Sequence, residues 1–111
     1  MKTIKIKNWD DVPKNYTGIV KWSDGSKGWY KNGNLHREDE PGYIDNNGYK
    51  MWFLDGKYVW DSESKLDLEN QIILSKTKHP EYPTVQVWKI FDSEEIYEQT
   101  VIPGMEEHIA E

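Results

Sequence analysis

Gly28-Trp29-Tyr30-Lys31-Asn32-Gly33-Asn34-Leu35-His36-Arg37-Glu38-Asp39-Glu40-Pro41-Gly42 is the stretch that decides the fold. Two adjacent aromatic residues lead into Asn32-Gly33, a strong hairpin signal because both residues accept a positive φ. A charged cluster over residues 36–40 follows and stops at Pro41. In a strand, adjacent side chains point to opposite faces, so Trp29 and Tyr30 serve different sides of one sheet.

The pattern recurs 23 residues later. Asp24-Gly25 falls on Asn47-Gly48, Lys27 on Lys50, Trp29 on Trp52, Tyr30 on Phe53, Asn32-Gly33 on Asp55-Gly56 and Leu35 on Tyr58. Turn chemistry, aromatic pair and spacing agree, which predicts two consecutive antiparallel units over residues 16–60. Together they make a twisted β-meander in which each unit needs the next to cover its apolar face.

On the N-terminal side, residues 2–7 alternate lysine with Ile4 and Ile6 as a short strand. Residues 8–15 form a loop, with Trp9 plugged into the core edge. On the C-terminal side, residues 62–76 carry Ser62 and Ser64 as caps and Glu63 and Asp67 as first-turn acids. Leu66 with Ile73, and Leu68 with Ile72, suit helical spacing, and a helix is predicted there. Leu66, Leu68, Ile72 and Leu74 also share strand parity. Two prolines make residues 78–83 a loop. Residues 84–91 and 96–102 are rich in β-branched and aromatic side chains and form a C-terminal hairpin turning at 92–95. Residues 105–111 read as a tail or a single helical turn. The expected class is mainly β (α+β), a single domain over residues 1–111. Its first part is the two-repeat meander and its second, residues 61–111, an acidic helix-plus-hairpin half.

Six Trp, seven Tyr and two Phe supply much of the apolar content, so the core is built from rings with polar edges. A disordered chain would be poor in such residues. The absence of cysteine excludes disulfides and thiolate metal sites. No signal peptide or membrane-span pattern is present, and the cytoplasm is the expected location. Residues 1–60 hold ten Lys and Arg against eight Asp and Glu, whereas residues 61–111 hold four against twelve. Such a skew disfavours contact between the second half and a phosphate backbone, so direct nucleic-acid binding is not expected; it suits either a basic partner surface or simply a solvated face.

The segment Trp29-Tyr30-Lys31-Asn32-Gly33-Asn34-Leu35-His36-Arg37-Glu38-Asp39 resembles the aromatic, Asn-Gly, Leu-His-Arg-Glu-Asp repeat of small phage and bacterial proteins, related in style to MORN-type β-hairpin repeats. That pattern usually continues Gly-Pro-Ala, where this chain has Glu40, Pro41 and Gly42. The second copy keeps the aromatic pair and the turn, then reads Tyr58-Val59-Trp60-Asp61-Ser62. The resemblance covers residues 17–60. It implies a twisted antiparallel sheet and a phage or mobile-element setting, and it implies no catalytic activity.

Several side chains are candidates for function. His36 beside Glu38, Asp39 or Glu40 has the makings of an acid–base pair. His36, His79 and His108 lie in unrelated contexts, without the short ligand spacing of a zinc site. The preferred role for His36, Arg37 and Asp39 is structural: charge-assisted bonds that pin the turn after Asn32-Gly33. No catalytic residue, metal or cofactor is expected, and no phosphate-cradling glycine loop is present. If one face of the sheet stays open, Trp29, Tyr30, Trp52 and Phe53 offer rings to bases, sugars or a protein interface. Alternatively the predicted helix and last hairpin cover that face. Glu94, Glu95 and Glu98 lie in or beside the hairpin, where a basic partner would meet them rigidly held.

The function expected from these features is a non-enzymatic protein-binding module that occludes a basic surface of a host or partner protein. An inhibitor of a host defence nuclease, of the anti-CRISPR kind, is a concrete form, with the acidic half mimicking nucleic acid. The competing expectations are a binding module for single-stranded nucleic acid or carbohydrate that uses exposed rings, and a small structural subunit.

Overall fold

The computed structural model describes residues 1–109. A mixed seven-stranded sheet is formed by β1 (Thr3–Ile6), β2 (Gly18–Trp22), β3 (Lys27–Lys31), β4 (Asn34–Leu35), β5 (Tyr43–Ile44), β6 (Lys50–Leu54) and β7 (Lys57–Asp61). A smaller antiparallel sheet has the order β10 (Glu95–Val101), β9 (Gln86–Asp92), β8 (Gln71–Lys78). A 3₁₀ turn at Trp9–Asp11 and one short helix, α1 (Glu106–Ile109), complete the described chain. Of the tail, residues 110 and 111, including Glu111, lie outside the described residues.

The Asn-Gly and Asp-Gly turns shape the large sheet. Asn32 and Gly33 have φ of 51° and 85°, and Asp55 and Gly56 have 49° and 80°. Two successive left-handed residues make the turn whose twist matches that of the flanking strands. These equivalent turns close β3–β4 and β6–β7.

β4 and β5 both pair with β3 and are two parts of one interrupted strand. Tyr30 pairs with Leu35 and Gly28 with Tyr43, which leaves Trp29 between them. The Trp29 carbonyl accepts from the His36 N–H at 2.8 Å, and the Trp29 N–H donates to the Gly42 carbonyl at 2.8 Å. Residues 37–41 are looped out between those two bonds, an enlarged form of β-bulge.

The strands from β2 to β7 pair antiparallel, and β1 makes the sheet mixed by running parallel to β2, with Thr3 opposite Ile19 and Ile6 opposite Trp22. Residues 7–17 supply the long connection that a parallel pair needs. The helix predicted over residues 62–76 does not form. Asp61 and Asp67 turn the chain instead. Asp61 Oδ1 accepts from the Glu63 N–H at 2.9 Å and the Ser64 hydroxyl at 3.0 Å, and Asp67 Oδ2 accepts from Asn70 Nδ2 at 2.7 Å. Side chains that bond locally in this way offer the backbone an alternative to a helix. From Gln71 the chain is the extended strand β8, with a bulge at Leu74 that breaks the alternation.

The core changes face midway along the large sheet. Gly28, Tyr43 and Met51 are in register on one face, and Lys27, Ile44 and Lys50 on the other. By alternation Tyr30 and Phe53 share the first face, and Trp29 and Trp52 the second. Tyr16, Val20, Trp22 and Tyr30 are buried on the first face against Ile4, Ile6, Val12, Leu35 and Tyr43. Trp9 covers them, its ring 4.3 Å from that of Trp22. Gly28 is part of this packing: a Cβ there would meet Trp22 Cη2 at 2.9 Å. Trp52, Leu54 and Trp60 are buried on the second face, against Leu66, the inner face of the small sheet and the tail residues Ile102, Met105 and Ile109. The two meander units therefore do not cover one another: β1 with its loop covers the first, and the small sheet covers the second.

Candidate functional site

The looped-out segment is held from inside. The Arg37 guanidinium carbon lies 3.9 Å from the centroid of the Trp29 ring. Its Nη2 bonds Glu40 Oε2 at 2.6 Å and its Nη1 donates to the Pro41 carbonyl at 3.3 Å. Asp39 is more distant, 3.6 Å from Nε, so Glu40 takes the part expected of Asp39. Trp29 thus supplies both the backbone bonds that bracket the loop and the ring on which its arginine stacks.

His36 is buried at the join between the two sheets. Its Nδ1 accepts from the Asp55 N–H at 2.8 Å, so that nitrogen carries no proton. The ring proton therefore sits on Nε2 and is donated to Glu38 Oε2 at 2.8 Å. The Asp55 carboxylate accepts from the Tyr82 hydroxyl, and the Tyr82 ring lies 5.5 Å from His36 and 4.9 Å from His79. The Thr84 hydroxyl donates to the Glu38 carbonyl at 2.7 Å. The hydrogen bond to Asp55, followed by partial burial and nearby carboxylates, pushes the Tyr82 phenol up to about 12. His36, Glu38, Asp55, Tyr82 and Thr84 together tie the 36–41 loop and the β6–β7 turn to the segment before β9. With both imidazole nitrogens engaged in fixed bonds, the arrangement suits a structural latch.

The aromatic pairs divide. Tyr30 and Trp52 are buried. Trp29 and Phe53 are half-buried and lie on opposite faces of the large sheet, so the four rings do not form one platform.

Glu94, Glu95 and Glu98 are all exposed on the β9–β10 hairpin. Glu94 lies in the turn, Glu95 opens β10 opposite Asp92, and Glu98 faces Lys89. The turn at Asp67 adjoins the same end of the small sheet, because the Asp67 N–H donates to Gln71 Oε1 at 2.8 Å and Gln71 pairs with Asp92. This brings Asp67, Glu69, Asp92, Glu94 and Glu95 to one end. Beside them, Ile72, Phe91 and Ile96 stand in register across all three strands on the outer face. Ile72 is 59% and Ile96 57% exposed with Phe91 half-buried between them, so among the described residues the row faces solvent. The helical spacing within residues 62–76 masks this row in the sequence, and the strand parity of Ile72 and Leu74 is the signal for it.

Among the described residues no helix is long and apolar enough to cross a membrane, and no group of three or more His, Asp or Glu side chains is disposed to hold a metal ion. No protein-family model, curated protein or solved structure matches this chain.

Proposed function

We propose that the chain is a non-enzymatic protein-binding module that docks the outer face of its small sheet on a basic partner surface and so occludes it. The observation that carries this reading is the apolar row Ile72–Phe91–Ile96 with Glu98 on the same face, flanked at one end of the sheet by the turn carboxylates of Asp67, Glu69 and Glu94. An uncovered apolar row supplies area to bury, and the carboxylates steer a cationic surface and fix its orientation. Taken with the resemblance of residues 29–39 to a phage and bacterial repeat, a host nuclease with a cationic nucleic-acid cleft is a fitting target.

Two baits test the proposal: the natural chain and the variant E94K/E95K/E98K, each used to capture proteins from a host lysate. A protein retained by the first and lost by the second, with an association rate that falls as salt rises, supports it. Partners held equally by both baits would contradict it.

A further inference from the structure

Strands β1, β2 and β3 contain no acidic residue, and their lysines share one face. Lys5 is directly opposite Lys21, and Lys21 is directly opposite Lys27. Lys31 follows on the same side as Lys27, and Lys7 continues from Lys5. The core residues Ile4, Ile6, Val20, Trp22 and Tyr30 take the other face.

Neighbouring strands lie about 4.8 Å apart, so the side chains of Lys5, Lys21 and Lys27 stand side by side. Like charges directly opposite across a sheet destabilise it. No carboxylate on these strands offsets that cost: among the described residues, Lys5, Lys7, Lys21, Lys27 and Lys31 take part in no ion pair. Lys27 is placed 5.6 Å from the Trp29 ring centroid. An open trough of about 740 Å³ lies at the adjoining strand ends, where Lys5, Lys7, Lys21 and Lys27 line it together with the core-face residues Ile6 and Trp22, and Asp11 is its one carboxylate among the described residues.

We propose that this face binds the phosphate backbone of a single-stranded nucleic acid, independently of the acidic hairpin. The charges are spread along a line across the three strands, with Lys31 further along β3, rather than converging on a point as a small anion would require. A phosphodiester chain offers the matching repeat of single negative charges. A flexible single strand follows the twist of the sheet, which a stiff duplex does not. A lipid surface would call for protruding apolar side chains, whereas Ile19 and Trp29 on this face are half-buried and Trp29 is stacked by Arg37. Contacts of this kind position a backbone without reading its bases.

Fluorescence anisotropy of a labelled oligothymidylate, titrated with the full chain over a range of salt, is the test. Binding at low salt should weaken with a log–log slope of about −2, because each engaged lysine contributes about −0.7 on a single strand. The variant K5Q/K21Q/K27Q should bind at least about tenfold more weakly at low salt and lose most of that slope. Its melting temperature should hold or rise, since a repulsion is removed. K5R/K21R/K27R should retain binding, and so should K76Q/K78Q on β8. Absence of binding at low salt, an unchanged K5Q/K21Q/K27Q variant, or loss of binding in K5R/K21R/K27R would overturn the proposal. Tighter binding to duplex DNA, polyglutamate or anionic vesicles than to the oligothymidylate would also overturn it.

Discussion

Trp29 and Trp52 occupy equivalent places in the two units and share one face of the large sheet, yet only Trp52 is in the core, at 1% exposure. The small sheet and the tail close over Trp52, whose Nε1–H donates to the Pro103 carbonyl at 3.3 Å. Trp29 is outside that cover and is met instead by Arg37 from its own looped-out segment. One repeated aromatic has become a core residue, and the other anchors a loop. The second unit has no such loop: where the first reads Leu35-His36-Arg37-Glu38-Asp39, β7 continues past a register shift beside Val59.

Arg37→Ala should therefore lower thermal stability. It removes a ring stack, a bond to the Pro41 carbonyl and a pair with exposed Glu40. The expected cost is about 1–3 kcal/mol, most of it from the half-buried contacts. Arg37→Lys should recover little of it, because an ammonium cannot stack as a guanidinium plane does. Thermal melts check the cost. Partner affinity at the acidic hairpin should not change, and lost binding with an unchanged melting temperature would assign Arg37 to recognition.

Gly33→Val should destabilise the chain by about 1–3 kcal/mol, since a β-branched residue is strained at this left-handed position. The valine Cβ would also come within 3.1 Å of the Asn15 backbone nitrogen. Urea unfolding should show a lower midpoint with an unchanged slope.

Stability should depend on pH at both extremes. Tyr82 and Tyr49 are pushed from 10 to about 12 in the fold, first by their hydrogen bonds to Asp55 and Asp61 respectively. The fold favours their neutral forms, so their contribution is complete below pH 10 and is lost as pH rises toward 12. At Asp61, burial raises the carboxyl, but hydrogen bonds from Tyr58, Tyr49, the Glu63 N–H and Ser64 outweigh it and bring it to about 2. Its contribution is present above 3.8 and disappears as pH falls toward 2. Tyr82→Phe should lower stability at neutral pH and shrink the alkaline limb, leaving the acid limb in place. An alkaline limb of unchanged size in Tyr82→Phe would remove Tyr82 from this account.

What was legible in the chain was local. Asn32-Gly33 and Asp55-Gly56 state their turn type through backbone preference alone, and the alternation of Trp29 with Tyr30 states a two-faced strand. The rest depended on partners distant in sequence. Ser62, Ser64, Glu63 and Asp67 look like a helix start until Asp61 is seen to bond the Glu63 N–H and Ser64, Ser62 to accept from the Lys50 N–H, and Asp67 to close its own turn. Nothing near Gly42 says that the strand broken at His36 resumes there, since the bonds that show it belong to Trp29. The change of core face depends on which segment covers which ring. The exposed row needs the register of β8 on β9: the parity of Ile72 and Leu74 marks an extended segment, but it does not say which β9 residue each one faces.

The exposed row carries its own prediction. Ile72→Asn with Ile96→Asn should leave the fold intact, because both side chains already face water. Affinity for a captured partner should fall at least about tenfold, chiefly through faster dissociation. Equal dissociation rates in surface-binding kinetics would remove the row from the interface.

The most direct test of the account is the association rate of that partner with the natural chain and with E94K/E95K/E98K, measured by stopped flow from low salt to well above about 0.15 M. Steering by exposed charge is strong at low salt and screened once the Debye length falls below about 8 Å. The natural chain should associate fast at low salt and slow steeply as salt rises. The reversed variant should start at least about tenfold slower and show a flat or inverted dependence. Superimposable curves for the two proteins, or a rate for the natural chain that ignores salt, would contradict the claim that the acidic hairpin meets a basic surface.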